Sequence, residues 1–384
     1  MISETPTPIR PETFPAPLQE IAAKVRDGVR LDEADALTCF TTPHLLPLGK
    51  LADTVRRRLH GNLTFYNVNR HINPTNVCVY TYNCKFCSFA ALPGESHAWE
   101  MSHEDVYAHA ANQGGNRATE FHIVGGLHPN LSLDWYLEML RGLKERFPNA
   151  HLKAFTAIEV GWFAKLEKIS IEEVLRRMRD AGLGSLPGGG AEIFHPEVRE
   201  IICDGKLDAG EWIEVHRTAH LMGIKSNCTM LYGHVERPEH KVDHLFRLRE
   251  LQDETGGFNA FIPLAYHPEN NYMGLKYHTT GSDDLRHIAT ARLVLDNIPH
   301  IKAYWVMITP KLAQIALRFG ADDMDGTIVE EHIYHMAGAG TSQQLSRSEL
   351  ERIVRLAGFV PVERDTLYNP LTPAAPSTEA VLAR

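Results

Sequence analysis

The sequence predicts a parallel α/β barrel of the TIM type, preceded by a helical preface and followed by a helical C-terminal extension. Seven short β-rich apolar runs alternate with longer amphipathic ones over roughly 250 residues, the strand-helix-strand repeat that curls a parallel sheet into a barrel. No G-x-G-x-x-G follows the first run, so the alternative, a doubly wound open sheet, lacks its usual dinucleotide-binding warrant. A length of 384 residues with 43% hydrophobic content suits either one barrel with additions or two domains.

Taken in order, a proline-rich start reads as a disordered or surface-draped lead. Leu18, Ile21 and Val25, then Leu48, Leu51 and Val55, recur at helical spacing and predict two or three helices over residues 1–60. The strand runs are LTFYNV near 63, TEFHIVGG near 119, HLKAFT near 151, GSLPGG near 184, IKSNCTML near 224, FNAFIPLA near 258 and IKAYWVMI near 301. Helical segments at 132–147, 170–181, 208–222, 237–255 and 283–297 lie between them, and DGTIVEE offers a weaker eighth unit. This assigns residues 61–310 to the barrel and 311–384 to an extension that completes it and ends in a loose tail.

A formal net charge of -9 disfavours nucleic acid as the main partner, because phosphate binding needs clustered Lys and Arg. The start has no charged region followed by an apolar run, and no window approaches the length of a membrane span, so a cytoplasmic protein acting on a small molecule is expected. Six cysteines in so long a chain do not make a secreted disulfide framework, and reduced thiols follow.

Three of those cysteines cluster in NPTNVCVYTYNCKFCSFAA as Cys78, Cys84 and Cys87, spaced C-x5-C-x2-C, in the loop after the first strand. Such barrels place their chemistry at that end. A structural zinc site closes with four protein ligands, and His71 or His97 is the nearest fourth candidate here. A [4Fe-4S] cluster held by three thiolates needs no fourth, because its free iron can chelate the amino and carboxylate groups of S-adenosylmethionine. On the motif alone, cluster, zinc and redox thiols stay open.

The wider text narrows the choice. FYNVNRHINPTNVC, TEFHIVGGLHP, KAFTAIEV, SLPGGGAEIF, HIKAYWVM and GADDMDGTIVEEHIYHMAGA closely resemble the aminofutalosine synthase family of radical S-adenosylmethionine enzymes, from the futalosine route to menaquinone. The match spans roughly residues 45–370 and is dense; sister families are the cyclic dehypoxanthine futalosine synthases and the FO synthases. The superfamily usually carries C-x3-C-x2-C, so this chain reads as having two residues inserted within Val79 to Asn83. Three thiolates can still converge on one cluster from a longer loop.

The resemblance implies a radical barrel that holds a [4Fe-4S] cluster on Cys78, Cys84 and Cys87 and takes S-adenosylmethionine as co-substrate. It implies the substrate 3-[(1-carboxyvinyl)oxy]benzoate, with the adenosyl radical adding to the enol-ether double bond, followed by aryl migration and loss of carbon dioxide. A reducing donor of flavodoxin or ferredoxin type would supply the electron. The rival readings are a sister radical reaction and a zinc-stabilised binding protein without catalysis.

Residue by residue, Phe86 stands where the family packs an aromatic by the adenine, and otherwise plugs the cluster. Gly125 and Gly126 end the second strand where bare backbone can approach the ligand's amino group, or simply form a tight turn. Glu159 and Ser185, at the ends of the third and fourth strands, are candidates for the ribose or methionine part. On the fifth strand, alternation sends Asn227 and Thr229 to one face and Cys228 to the other. Two substrate carboxylates need donors, for which Arg70 with His71 after the first strand, and His234 or His267 opposite, are the candidates. Arg70 reads first as a rim salt bridge and only then as a carboxylate donor.

Overall fold

A computed structural model describes residues 8–112 and 117–371. Its ten strands are β1 (Leu63–Asn67), β2 (Asn69–Ile72), β3 (Glu120–Ile123), β4 (His151–Ala154), β5 (Ser185–Leu186), β6 (Lys225–Tyr232), β7 (Phe258–Ala265), β8 (His300–Ile301), β9 (Asp323–Gly326) and β10 (Val360–Glu363). Strands β2 to β8 pair in sequence order into a seven-stranded parallel sheet that curls as a half-barrel, with helices around it. A second sheet, in the order β10-β1-β9, is also parallel. Isolated bridges tie the two together: Lys302 with Asp323 beside β8, and Arg70 with Val329 beside β2. The stretch DMDGTIV thus spans the gap between the first and last strands of the half-barrel, where the sequence offers its weaker eighth unit.

The run LTFYNV is divided at Val68. Thr327 donates its amide to the Asn67 carbonyl, and the Asn69 side chain accepts the Ile328 amide at 2.8 Å. Asparagine side chains compete for backbone partners in this way, and the strand changes sheets where they do. The run IKAYWVMI also departs from expectation: it is extended only to Lys302, then turns helical at Trp305–Ile308, with the Trp305 indole donating to the Gly326 carbonyl at 2.9 Å.

Among the described residues three helices precede the barrel, Ala16–Asp27, Glu33–Thr41 and Leu45–His60. The lead before them is not loose over its described part, since Ile9 and Phe14 are buried in the core on either side of the short turn Pro11–Thr13. Capping boxes fix several helix starts, among them Ser102 with Asp105 and Thr156 with Glu159. None of the described helices is long and apolar enough to cross a membrane.

Candidate active site

A cavity of about 310 Å³ opens at the C-terminal ends of the strands. All three clustered cysteines line it. The loop carrying them begins with a single turn: Asn83 and Cys84 both donate their amides to the Tyr80 carbonyl, at 3.0 and 2.9 Å, and Thr81 Oγ1 donates to the Cys78 carbonyl at 2.6 Å. The two additional residues are wound into this turn, which returns the chain so that Cys84 and Cys87 face the same space as Cys78. Neighbouring backbone braces the loop, with Cys78 N–H on the Ala91 carbonyl, Val79 N–H on Leu127 and Lys85 N–H on Ile202.

Burial pushes the Cys84 and Cys87 thiols above their ordinary range, with the Lys206 ammonium opposing that rise. Thiolates in so dry a place need a metal to sustain them. Among the described residues, the groups of three donor side chains whose atoms all lie within 4.8 Å of one another include no cysteine. The thiols therefore stand too far apart to grip one zinc ion and leave room for a larger body, which suits the donor set of an iron-sulfur cluster.

Across the cavity, Gly125 and Gly126 follow β3. A Cβ on Gly126 would lie 2.2 Å from the Val77 carbonyl oxygen, so only glycine lets this backbone pass the segment entering Cys78. Glu159 lines the cavity from a helix, not from a strand end: it is the third residue of Ala157–Glu167. One of its oxygens accepts the Gly125 amide at 3.0 Å and the other the Thr156 amide and hydroxyl at 2.7 and 2.9 Å. Burial raises its pKa to about 7 despite these bonds. Phe86, Asn227 and Thr229 are also on the wall, and Cys228 faces away, its thiol against the Ala260 carbonyl.

Three candidates are elsewhere. Arg70 and His71 are consecutive on β2, so alternation lets only one face inward. His71 does; Arg70 is buried outside the ring, donating to the His109 and Asn112 carbonyls at 2.7 and 2.6 Å and pairing with Glu330 at 3.2 Å. His234 lies off the cavity wall, where its Nε2 donates to the Leu231 carbonyl at 3.1 Å and Glu236 lies beside its Nδ1. Ser185 begins β5, its hydroxyl is held by His151 at 2.8 Å, and the wall starts only at Pro187. His267, the fourth histidine or arginine candidate, does line the cavity.

The structure adds residues beyond those expected from the sequence. Register sets His71, His122 and Lys153 side by side on β2, β3 and β4, with the two imidazoles stacked at 4.6 Å. Burial lowers the pKa of both rings and keeps them neutral. Lys153 pairs with Glu120 at 2.6 Å, and Lys302 pairs with Asp325. A lysine inside each of two otherwise apolar strand runs, HLKAF and HIKAYW, was the available signal, because alternation aims it into the barrel.

Two family descriptions match this chain, "Radical SAM superfamily" over residues 72–248 and "CofH/MqnC C-terminal region" over residues 255–376. It is 47% identical to an aminodeoxyfutalosine synthase of Thermus thermophilus, covering 91% of this chain and 94% of that protein. An aminodeoxyfutalosine synthase of Streptomyces coelicolor is 46% identical, with 91% and 93% covered. A 5-amino-6-(D-ribitylamino)uracil–L-tyrosine 4-hydroxyphenyl transferase of Methanopyrus kandleri is 41% identical, with 91% and 95% covered. Among solved structures, methylornithine synthase superposes with a TM-score of 0.71 at 17% identity, over 88% of this chain and 96% of that one, which is a likeness of fold.

Proposed function

Because the chain belongs to the aminodeoxyfutalosine synthase family of radical S-adenosylmethionine enzymes, we propose that it joins the 5'-deoxyadenosyl group of S-adenosylmethionine to 3-[(1-carboxyvinyl)oxy]benzoate. The single observation that carries this reading is that three clustered thiols and a stretch of bare glycine backbone share one largely apolar cavity at the mouth of the barrel. Cys78, Cys84 and Cys87 would hold a [4Fe-4S] cluster, which when bound would supply the electron for cleaving S-adenosylmethionine, and the product expected from the enol ether is an adenosyl adduct with the aryl group migrated and carbon dioxide lost.

The chain's own work is binding, orientation and exclusion of water. Gly125 and Gly126 let S-adenosylmethionine approach the backbone, and Phe86 covers the thiol loop on the side of the adenine. Glu159 locks the Gly125 amide to the start of its helix and so fixes the shape of that wall. Asn227, which has no side-chain hydrogen bond among the described residues, is free to bind a polar part of S-adenosylmethionine, whereas the Thr229 hydroxyl is already spent on the Gly188 carbonyl at 2.7 Å. His71 and His122 replace Arg70 and His234 as donors for the substrate carboxylates. Lys153 and Lys302 add positive potential from deeper in the barrel, each partly offset by its own carboxylate. The donor of the electron is a flavodoxin or ferredoxin type protein, and the reaction is cytoplasmic.

Anaerobic reconstitution with iron and sulfide, followed by dithionite, S-adenosylmethionine and the enol ether, tests this by mass spectrometry. An adduct that keeps the adenosyl group and has lost carbon dioxide is expected. Free 5'-deoxyadenosine without the adduct would overturn the substrate, and no cleavage of S-adenosylmethionine would overturn the radical chemistry itself.

A further inference from the structure

Among the described residues, three groups of histidine and acidic side chains bring their donor atoms within 4.8 Å of one another. In the first, His60, His300 and Asp322, the carboxylate is already neutralised by the buried Arg292 guanidinium. In the second, His195, Glu197 and His240, the Nδ1 of His240 accepts the Arg237 amide at 3.2 Å, so its neutral ring carries a proton on Nε2 and has no lone pair left to give. The third, His267, Glu269 and His278, follows the end of β7 and differs on both counts.

The Nε2 of His267 lies 3.2 Å from the Met307 carbonyl oxygen. A carbonyl only accepts, so Nε2 bears the hydrogen and Nδ1 keeps its lone pair. That Nδ1 is buried without a hydrogen-bond partner, and so is Oε2 of Glu269. The ion pair of Glu269 with His278, at 2.7 Å, occupies only Oε1 and explains neither vacant acceptor. Buried polar atoms left without partners in a native fold call for an occupant. A backbone carbonyl that fixes the second nitrogen of the ring is also the usual partner of a metal-bound histidine.

The loop is held in place before anything binds. Ser88, next to Cys87, donates its hydroxyl to the Glu269 carbonyl at 2.7 Å, and Asn271 Nδ2 bonds the His267 carbonyl at 2.9 Å. On its other side, Gly338 approaches so closely that a Cβ there would lie 2.8 Å from the Glu269 side chain.

We propose that His267, Glu269 and His278 form a binding site for one borderline divalent cation such as Zn²⁺, Fe²⁺ or Co²⁺, at the rim of the cavity and separate from the thiol loop. Two imidazoles and a carboxylate are donors that such ions favour, and three protein ligands leave a coordination position open for an oxygen anion. Since His267 also lines the cavity, a carboxylate held there could reach that position.

The test uses the full chain with its cluster assembled, dialysed without oxygen against Co²⁺, and read by metal analysis and by the visible bands of bound cobalt. The expected result is one cobalt per chain beyond the iron, retained when Cys78, Cys84 and Cys87 are all replaced by serine. His278→Ala and Glu269→Gln should each weaken it by at least about tenfold, the scale of loss seen even for changes outside the ligand set. His278 is on the surface, so its removal leaves the fold in place, which circular dichroism checks. No cobalt above the iron, cobalt undiminished in both variants, or cobalt lost with the cysteines would each overturn the site, while leaving the cluster reading untouched.

Discussion

At the closed end of the barrel Asp322 accepts hydrogen bonds from His300 at 2.5 Å and from the Ile301 amide at 2.8 Å, and it also takes the Arg292 guanidinium. Asp323 beside it takes Arg364 at 2.6 Å. At the open end, by contrast, the Cys84 thiol has Lys206 and neighbouring thiols and the Cys87 thiol two backbone amides, while His71 Nε2 has no partner and His267 and Glu269 each hold a vacant acceptor. The closed-end groups are fully buried and the open-end ones in part only, but the difference that matters for ligands lies in satisfaction. Where buried charges are paired, the groups hold the sheets together, and where lone pairs are left over at the cavity, they await a ligand.

The largest effect expected of a single change is at the open end. Cys84→Ala should lower bound iron and turnover together to background, and measurable turnover would remove the thiol loop from the chemistry. At the closed end, Asp322→Ala should cost about 3–5 kcal/mol in urea unfolding, because Arg292 and His300 are left buried and unanswered. A change under about 1 kcal/mol would show that the closed end is no better satisfied than the open one.

Glu159 belongs to neither class, being fully bonded yet raised to about 7 by burial. Its folded pKa lies above the unfolded value of 4.5, so its favourable contribution is complete below 4.5 and is lost as pH rises through 7. The stability difference between wild type and Glu159→Gln should therefore shift across that window, by at most roughly 3 kcal/mol, in the direction that disfavours wild type at higher pH. A difference that is flat from pH 4 to 8 would place the carboxylate in a wetter site. The smallest effect on catalysis is expected of Arg70→Ala, which should reduce stability while leaving kcat of the folded enzyme unchanged; a specific rise in KM for the enol ether would return Arg70 to the substrate.

The strand order was legible because apolar runs of strand length alternate with helical ones, and even DGTIVEE gave notice that it would lie between the ends of the half-barrel. The cavity wall was legible where one property is enough, as with clustered thiols, paired glycines, and the parity that separates Asn227 and Thr229 from Cys228. It was misread where two properties had to be combined. Charge groups Arg70 with His71, but their adjacency on one strand divides them. The same parity aims His122, Lys153 and Lys302 inward, a signal that needs the strand register as well as the residue type. The helical setting of Glu159 follows from Thr156 capping its amide, a local competition that a strand-end reading ignores. The His234 ring is turned onto the Leu231 carbonyl and the Ser185 hydroxyl onto His151, so neither side chain reaches the cavity wall.

The turn from Cys78 to Cys84 has a consequence for how chains of this kind are detected and altered. Its surplus length is coiled outward into a self-bonded turn that reaches solvent at Tyr82, and the step from Cys84 to Cys87 is closed by a direct bond between their own backbones at 3.0 Å. The first gap can therefore vary in evolution, or by engineered insertion, without moving the thiols, whereas the second cannot. A search pattern that fixes both gaps discards relatives whose geometry is intact, and one that fixes only the second would keep them.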